Sequence, residues 1–416
     1  MNSRFCKKQF LLCLFIFTVT SCAILPRGDT TSTAQPDLQK PLANPTVIPP
    51  TPLPEIPTAA QKPTLVIQPT NTLKPPSGEI IYMTGGNING YQIDIENIIE
   101  LASLPGEIHG VSLAPDKSTL AFTTKEGLFY LDLSTDEIIA SFSADKNSIL
   151  IPRGFNPRSL PGRTQLLVSI QQGDQYSFAL VNQAPVLNWL ELPFPPSTNN
   201  YGCDTGTAWS YSGDNIIIGG TNSGIQCNTN PGLTLISNRR GLAYQLIQQT
   251  INTGLSEKDV QIAGTRTPIW SYDGNEIYFS LNVGLVTALQ YYSQIYSIKD
   301  NGSDLTQISQ NNRGIASFPL STTFGVIFYS INGDNPQSDG IYQYDLGTLN
   351  NYLIIKGASL CPIALSHDGQ QLLYGVICND IGKAKEFRLY DFSSSSDILL
   401  VRSQDGNPIQ YLGWKK

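Results

Sequence analysis

Thr267-Pro268-Ile269-Trp270-Ser271-Tyr272-Asp273-Gly274, followed after Asn275 by Glu276-Ile277-Tyr278-Phe279-Ser280, is the stretch that decides the fold. An Asp-Gly pair marks a tight turn, because glycine takes positive φ without steric cost. The run after it is β-branched and aromatic, the composition of a strand. The pattern recurs. Gly110-Val111-Ser112-Leu113-Ala114-Pro115-Asp116-Lys117 precedes Thr119-Leu120-Ala121-Phe122, and Thr207-Ala208-Trp209-Ser210-Tyr211-Ser212-Gly213-Asp214 precedes Ile216-Ile217-Ile218. Cys361-Pro362-Ile363-Ala364-Leu365-Ser366-His367-Asp368-Gly369 precedes Gln371-Leu372-Leu373-Tyr374-Gly375. From about Gly78 onward short apolar runs alternate with turn residues, and no long helical period interrupts them. The fold class is therefore all-β.

These residues resemble the Pro-x-Trp-Ser-Pro-Asp-Gly repeat of TolB-like, WD-repeat-like β-propellers, over about residues 78–416. The segments near 150–192 and 314–355 keep the strand rhythm and lose the Ser-x-Asp-Gly turn. The resemblance implies four-stranded blades that bury both faces against neighbours, so that several must close in a ring. Trp209 and Trp270 then belong between blades rather than under a ligand. The unit begins with Gly78-Glu79-Ile80-Ile81-Tyr82-Met83, a second-strand pattern, and ends with Pro408-Ile409-Gln410-Tyr411-Leu412-Gly413-Trp414, a first-strand pattern. The last strand is expected to complete the first blade and hide both edges. Blades then fall at 78–105 plus 406–414, 106–145, 146–193, 203–248, 264–309, 313–356 and 359–402. That makes seven, with six as the alternative.

What precedes residue 78 is different material. Arg4, Lys7 and Lys8 lead into Phe10-Leu11-Leu12-Cys13-Leu14-Phe15-Ile16-Phe17-Thr18-Val19, which suits the apolar core of a secretory signal and is too short for a mature span. Val19-Thr20-Ser21-Cys22 resembles the bacterial lipobox. The resemblance implies a lipoprotein signal peptide over 1–21 and a diacylglyceryl group on the Cys22 thiol; the alternative is an ordinary signal peptide with a chance cysteine. Residues 23–77 hold 13 of the 28 prolines, with Thr, Ala and Gln, and cannot bury a core. They are expected to be a disordered stalk, about 170 Å long at the ~3.1 Å per residue of polyproline II.

Charge and cysteine usage narrow the function. The chain of 416 residues carries −7, and seven of its 26 basic and three of its 33 acidic residues lie before Gly78, leaving −11 on the rest. That balance argues against nucleic acid, which needs a basic face to displace phosphate counterions. Two histidines exclude any site of three imidazoles. Four cysteines remain after the leader and anchor, and an exported chain is expected to pair them as Cys203–Cys227 and Cys361–Cys378, with free thiols or crossed pairing as alternatives. Cys361 and Cys378 are equidistant from Gly369-Gln370, so a tight hairpin would set them opposite each other. No Cys-x-x-Cys suggests zinc, and no cofactor or metal is implied.

Catalytic signatures are few. The chain has no Gly-x-Ser-x-Gly elbow, Walker A loop or Gly-x-Gly-x-x-Gly, and Asp300-Asn301-Gly302-Ser303-Asp304 reads as a turn rather than a calcium loop. His109 and His367 read as turn or surface residues. Arg153, Arg266 and Arg313 fall just before or at the start of first strands, which line the central channel of a propeller. They are candidates to converge at one mouth near His109, Asp204 and Asn407 and hold a carboxylate or phosphate; the alternative is that each pairs locally or faces solvent. The expectation is a non-enzymatic lipoprotein, held on the outer face of the membrane or in the periplasm, whose propeller is a platform for an envelope protein or glycan. Loops such as Pro193–Asp204 and Ile331–Asp339 would hold that partner. The alternatives are a solute-binding sensor for an anionic ligand, and a hydrolase or lyase acting on sugars.

Overall fold

The computed structural model describes residues 78–416 except 146, 161–162, 173–174, 185, 192–205, 220–232, 238–241, 247–259, 286–289, 310–313, 334–335, 379, 381 and 405. The leader, Cys22 and the segment to residue 77 lie outside it, as do Cys203, Asp204, Cys227, Arg313 and the loop from Pro193 to Asp204. Every described regular element is a strand, apart from one turn of 3-10 helix at Ile93–Ile95.

The strands run as antiparallel meanders. Ser148–Phe155, Gln165–Gln172, Gln175–Ala184 and Val186–Glu191 make one four-stranded sheet, and Gly110–Leu113, Thr207–Trp209 and Leu360–Leu365 each open another. The first meander opens with Glu79–Thr84, and its inner neighbour comes from the far end of the chain. Ile409–Lys415 pairs antiparallel with it, Ile80 opposite Trp414 and Glu79 opposite Lys415. That sheet gains a fifth strand, Lys383–Ala384, which pairs with Gln410 and Ile409 and was not expected from the sequence.

Burial follows the two-residue strand period on both faces at once. Ile216 and Ile218 pack with Leu167 and Phe178 of the preceding sheet, whereas Ile217 between them packs with Trp270 and Phe279 of the following one. Ile81 joins Val111 and Phe122, while Ile80 and Tyr82 join Leu373 and Phe387. Among the described residues seven such clusters link successive strand groups, the last returning to the first. Trp270 lies in one of them, 2% exposed, and its indole donates to the Ala208 carbonyl at 3.1 Å.

Among the described residues hydrogen bonding gives six sheets, not the seven separate ones expected. One holds eight strands, because Val260–Trp270, Glu276–Leu285 and Gln290–Lys299 run on into Gly314–Ser321 and its partners. The cause is a mismatch of lengths. Gln290–Lys299 has ten residues and its outer neighbour, Thr306–Gln307, only two, covering Tyr296 and Ser297. The open edge at Ser293 takes Ile315 of the next segment in a parallel pairing.

The repeated turn is held by its serine. Ser271 Oγ donates to Asp273 Oδ1 at 2.6 Å and accepts the Glu276 N–H at 2.9 Å. Ser366 does the same with Asp368 and Gln371, at 2.6 and 2.9 Å. Gly274 and Gly369 close these turns at φ 75° and 73°, which only glycine adopts freely. The Ser271 hydroxyl, followed by the Asn275 backbone and side chain, holds the Asp273 carboxyl below its usual range.

Two consequences can be measured by chemical denaturation. Trp414→Ala removes a buried indole from the cluster that closes the ring and should cost about 3 kcal/mol or more. Ser271→Ala should cost about 1 kcal/mol at neutral pH. Because the Asp273 pKa is depressed in the fold, its contribution is present above the unfolded carboxylate value of about 4 and is lost as pH falls through the folded value. The difference between wild type and Ser271→Ala should therefore narrow below about pH 4.

Candidate binding cavity

Apart from Ile409–Lys415, which also pairs with Lys383–Ala384, and Gly314–Ser321, which meets Gln290–Lys299 at one position, the described first strands pair on one side only and leave their other edge to the centre of the ring. Such an edge tolerates residues that a central strand does not. Pro152, Pro268, Pro319 and Pro362 all sit on these strands, and each lies at or within a register shift. A bulge bends its strand and re-aims a side chain. Two non-glycine residues at these bulges take left-handed backbone, Thr267 at φ 49° and Phe318 at φ 54°. For a β-branched residue such as Thr267 this conformation costs roughly 1–3 kcal/mol and must be held by its surroundings.

The bulged segments enclose a cavity of about 640 Å³. His109, Ser112, Arg153, Thr207, Arg266 and Thr267 contribute to its wall, with Ile315, Ser317 and Phe318 across the ring and Asp380, Lys383 and Gln410 at the ring seam. Arg153 and Arg266 thus line one cavity, together with His109; Arg313 and Asp204 lie outside the described residues, and Asn407 is not on the wall. The expected position within the strand is corrected. Arg153 and Arg266 stand well inside Ser148–Phe155 and Val260–Trp270, not before or at their starts, because the strands extend further back and bulge beside the arginines.

Charge on the wall is lopsided. Arg153 Nε donates to Ser169 Oγ at 2.9 Å, and Lys383 Nζ lies 3.5 Å from Asp380. Arg266 is exposed to the cavity side and pairs with no acid among the described residues. Among the described residues three cations therefore line the cavity against one carboxylate, on a unit whose sequence carries −11. Two polar atoms of residues on this wall, His109 Nδ1 and Thr267 Oγ1, are buried without a hydrogen-bond partner among the described residues. Each such atom costs about 1–3 kcal/mol. His109 sits at the bend before Gly110–Leu113, as its sequence context suggested, and lines the cavity there. His367 does sit in its turn, beside a second cavity lined by Glu79, Trp414 and Lys416, and burial, then Lys416 and Lys117, holds its pKa below the usual imidazole value. Among the described residues no group of three or more His, Cys, Asp or Glu could hold a metal ion.

A disulfide braces the wall. Cys361 and Cys378 are bonded, with Cα atoms 6.1 Å apart, and Cys378 lines the cavity. The cysteines are not opposite each other as equal spacing implied. The hairpin turns between Asp368 and Gly369, with Leu365 opposite Leu372, and the register shift between Pro362 and Ala364 adds one residue, so Cys361 stands opposite Gly375 and Cys378 reaches back from beyond the strand. A Cβ on Gly375 would lie 2.9 Å from one sulfur and 3.0 Å from the other, so the glycine makes the room.

No protein-family model and no curated protein matches this chain. Solved structures do. The described part is a β-propeller. An oligogalacturonate lyase in complex with manganese is 13% identical with a TM-score of 0.53, over 79% of this chain and 87% of that one. The oligogalacturonate lyase of Vibrio parahaemolyticus is 12% identical with a TM-score of 0.51, over 80% and 90%. TolB from Acinetobacter baumannii is 13% identical with a TM-score of 0.44, over 80% of this chain and 66% of that one, just under two thirds of its length. At these identities the likeness is one of fold. Of the expected site residues, Arg153 and Arg266 were legible as basic positions on first strands. Thr267 was not, because nothing in its residue type announces a left-handed backbone.

Replacing Cys361 and Cys378 together by alanine opens a loop of sequence separation 17 and should lower stability by about 3 kcal/mol in urea denaturation.

Proposed function

We propose that this chain is an extracytoplasmic binding protein, held to the membrane by a lipid on Cys22 and using its propeller to take an anionic ligand at the central cavity. The observation that carries the reading is the excess of Arg153, Arg266 and Lys383 over Asp380 on one wall of an acidic unit. Guanidinium groups in a concave, partly desolvated site bind carboxylates and phosphates by charge-assisted hydrogen bonds. The local positive potential concentrates anions that the rest of the surface repels. The envelope protein or glycan partner then supplies the anionic group, and capture rather than turnover is the task. The lipobox-like Val19-Thr20-Ser21-Cys22 and the Pro-rich segment after it support the anchored placement. We also read the eight-stranded sheet as two blades joined at Ser293 and Ile315, which makes seven; the seven apolar clusters support that count.

Two measurements test the reading. Cys22→Ser should abolish incorporation of radiolabelled palmitate and release the protein from membranes. In calorimetric titration, citrate should bind the purified protein, and Arg266→Gln should weaken it tenfold or more, the loss expected of one charge-assisted hydrogen bond. Equal citrate binding by wild type and Arg266→Gln would move the function away from this cavity. Shortening of oligogalacturonate in the same mixtures would move it from binding to catalysis.

A further inference from the structure

The cavity is encircled, and the groups it leaves accessible are of two kinds. Gly110, Arg153, Thr207, Arg266, Ile315 and Gln410 reach its wall from six different first strands, and Ser359 immediately precedes a seventh. Arg266 is exposed there, and so is Ile315 on the next first strand along the chain, 52% exposed. Two more exposed isoleucines stand at the end of the ring where the first strands begin. Ile149, 39% exposed, comes two residues before the wall residue Ile151 and points to the same face of its strand. Ile377 is 53% exposed, and its N–H donates to the carbonyl of the wall residue Ser359 at 2.9 Å. One exposed isoleucine is ordinary; three around the mouth of one cationic cavity mark a docking surface.

We propose that the occupant is the C-terminal tail of a protein partner, with its terminal carboxylate on Arg266 and its last apolar side chain against Ile315. This rests on the anion-binding reading above and deepens it. The encircling wall selects a chain end. An internal segment would have to bend sharply into the ring and back out, whereas an end enters straight, and capture of a terminal carboxylate is a known mode of peptide recognition. The −11 of the unit repels an acidic partner, so the negative charge has to be local. A C-terminus supplies one carboxylate on an otherwise neutral or basic segment. Ser112, Thr207 and Asn282, partly exposed on the wall, both donate and accept, as peptide amides do and an aliphatic chain does not. Ile149 and Ile377 at the mouth are left for apolar side chains further back along the tail.

Calorimetric titration of the purified protein with the hexapeptide Gly-Ser-Ser-Ala-Leu-Val separates the parts of the claim. The free acid should bind about tenfold or more tightly than the same peptide with an amidated end. Arg266→Gln should weaken the acid by about that factor and leave the amide unchanged. Ile315→Ser replaces an exposed side chain and should fold. It should weaken the peptide about fivefold and leave a peptide ending in serine unchanged. Citrate is titrated alongside. If citrate binding depends on Arg266 while the acid and the amide bind alike or not at all, the tail claim is overturned and the anion site stands. If citrate binding does not depend on Arg266, both readings fall. An amidated hexapeptide carrying an internal glutamate tests the chain end, and its binding as tightly as the free acid overturns that claim. Hexanoate binding as tightly as the peptide makes the ligand a small acid and overturns the proposal.

Discussion

A sheet that buries both faces cannot stand alone, and everything in this molecule depends on that constraint. The alternation of Ile216, Ile217 and Ile218 between the sheets before and after them leaves no strand group with a solvated face to spare. Each group is stable only between two neighbours, so the series has to return on itself. The pairing of Ile409–Lys415 with Glu79–Thr84 is the return. It joins the two ends of the series through backbone hydrogen bonds, and Trp414 packs with Ile80 and Phe387 beneath them. The cavity follows from the same geometry, because a ring of sheets leaves its first strands facing a common centre.

That centre is where regularity gives way. Most of the described first strands have one hydrogen-bonded edge, so proline and bulges are tolerated there as they are not inside a sheet. The same bulges carry Arg153 and Arg266 and force Thr267 into its uncommon backbone. Structural freedom and chemical specialisation coincide.

What could be read from residues alone divides along that line. The Ser-x-Asp-Gly turns at 271–274 and 366–369 were legible because local chemistry makes them, a hydroxyl capping the turn and a glycine at positive φ. The closing strand was legible because an odd strand at each end must find a partner. Register was not. The disulfide partner position of Cys361 and the place of Arg266 in its strand both moved because bulges add residues without a composition signal. Nor was the merging at Ser293 and Ile315, which depends on how short Thr306–Gln307 is rather than on any motif.

The closing strand also sets an order of events. Glu79 finds its partner at Lys415, so the first sheet cannot be completed until nearly the whole described unit has emerged from the ribosome. Until then its inner edge lies open, and pairing across so long a separation is slow because the loop-closure entropy is met before any contact rewards it. Folding of the ring should therefore end with the pairing of Ile409–Lys415 and Glu79–Thr84. The open-edged intermediate, rather than the finished ring, is the form most exposed to aggregation and proteolysis.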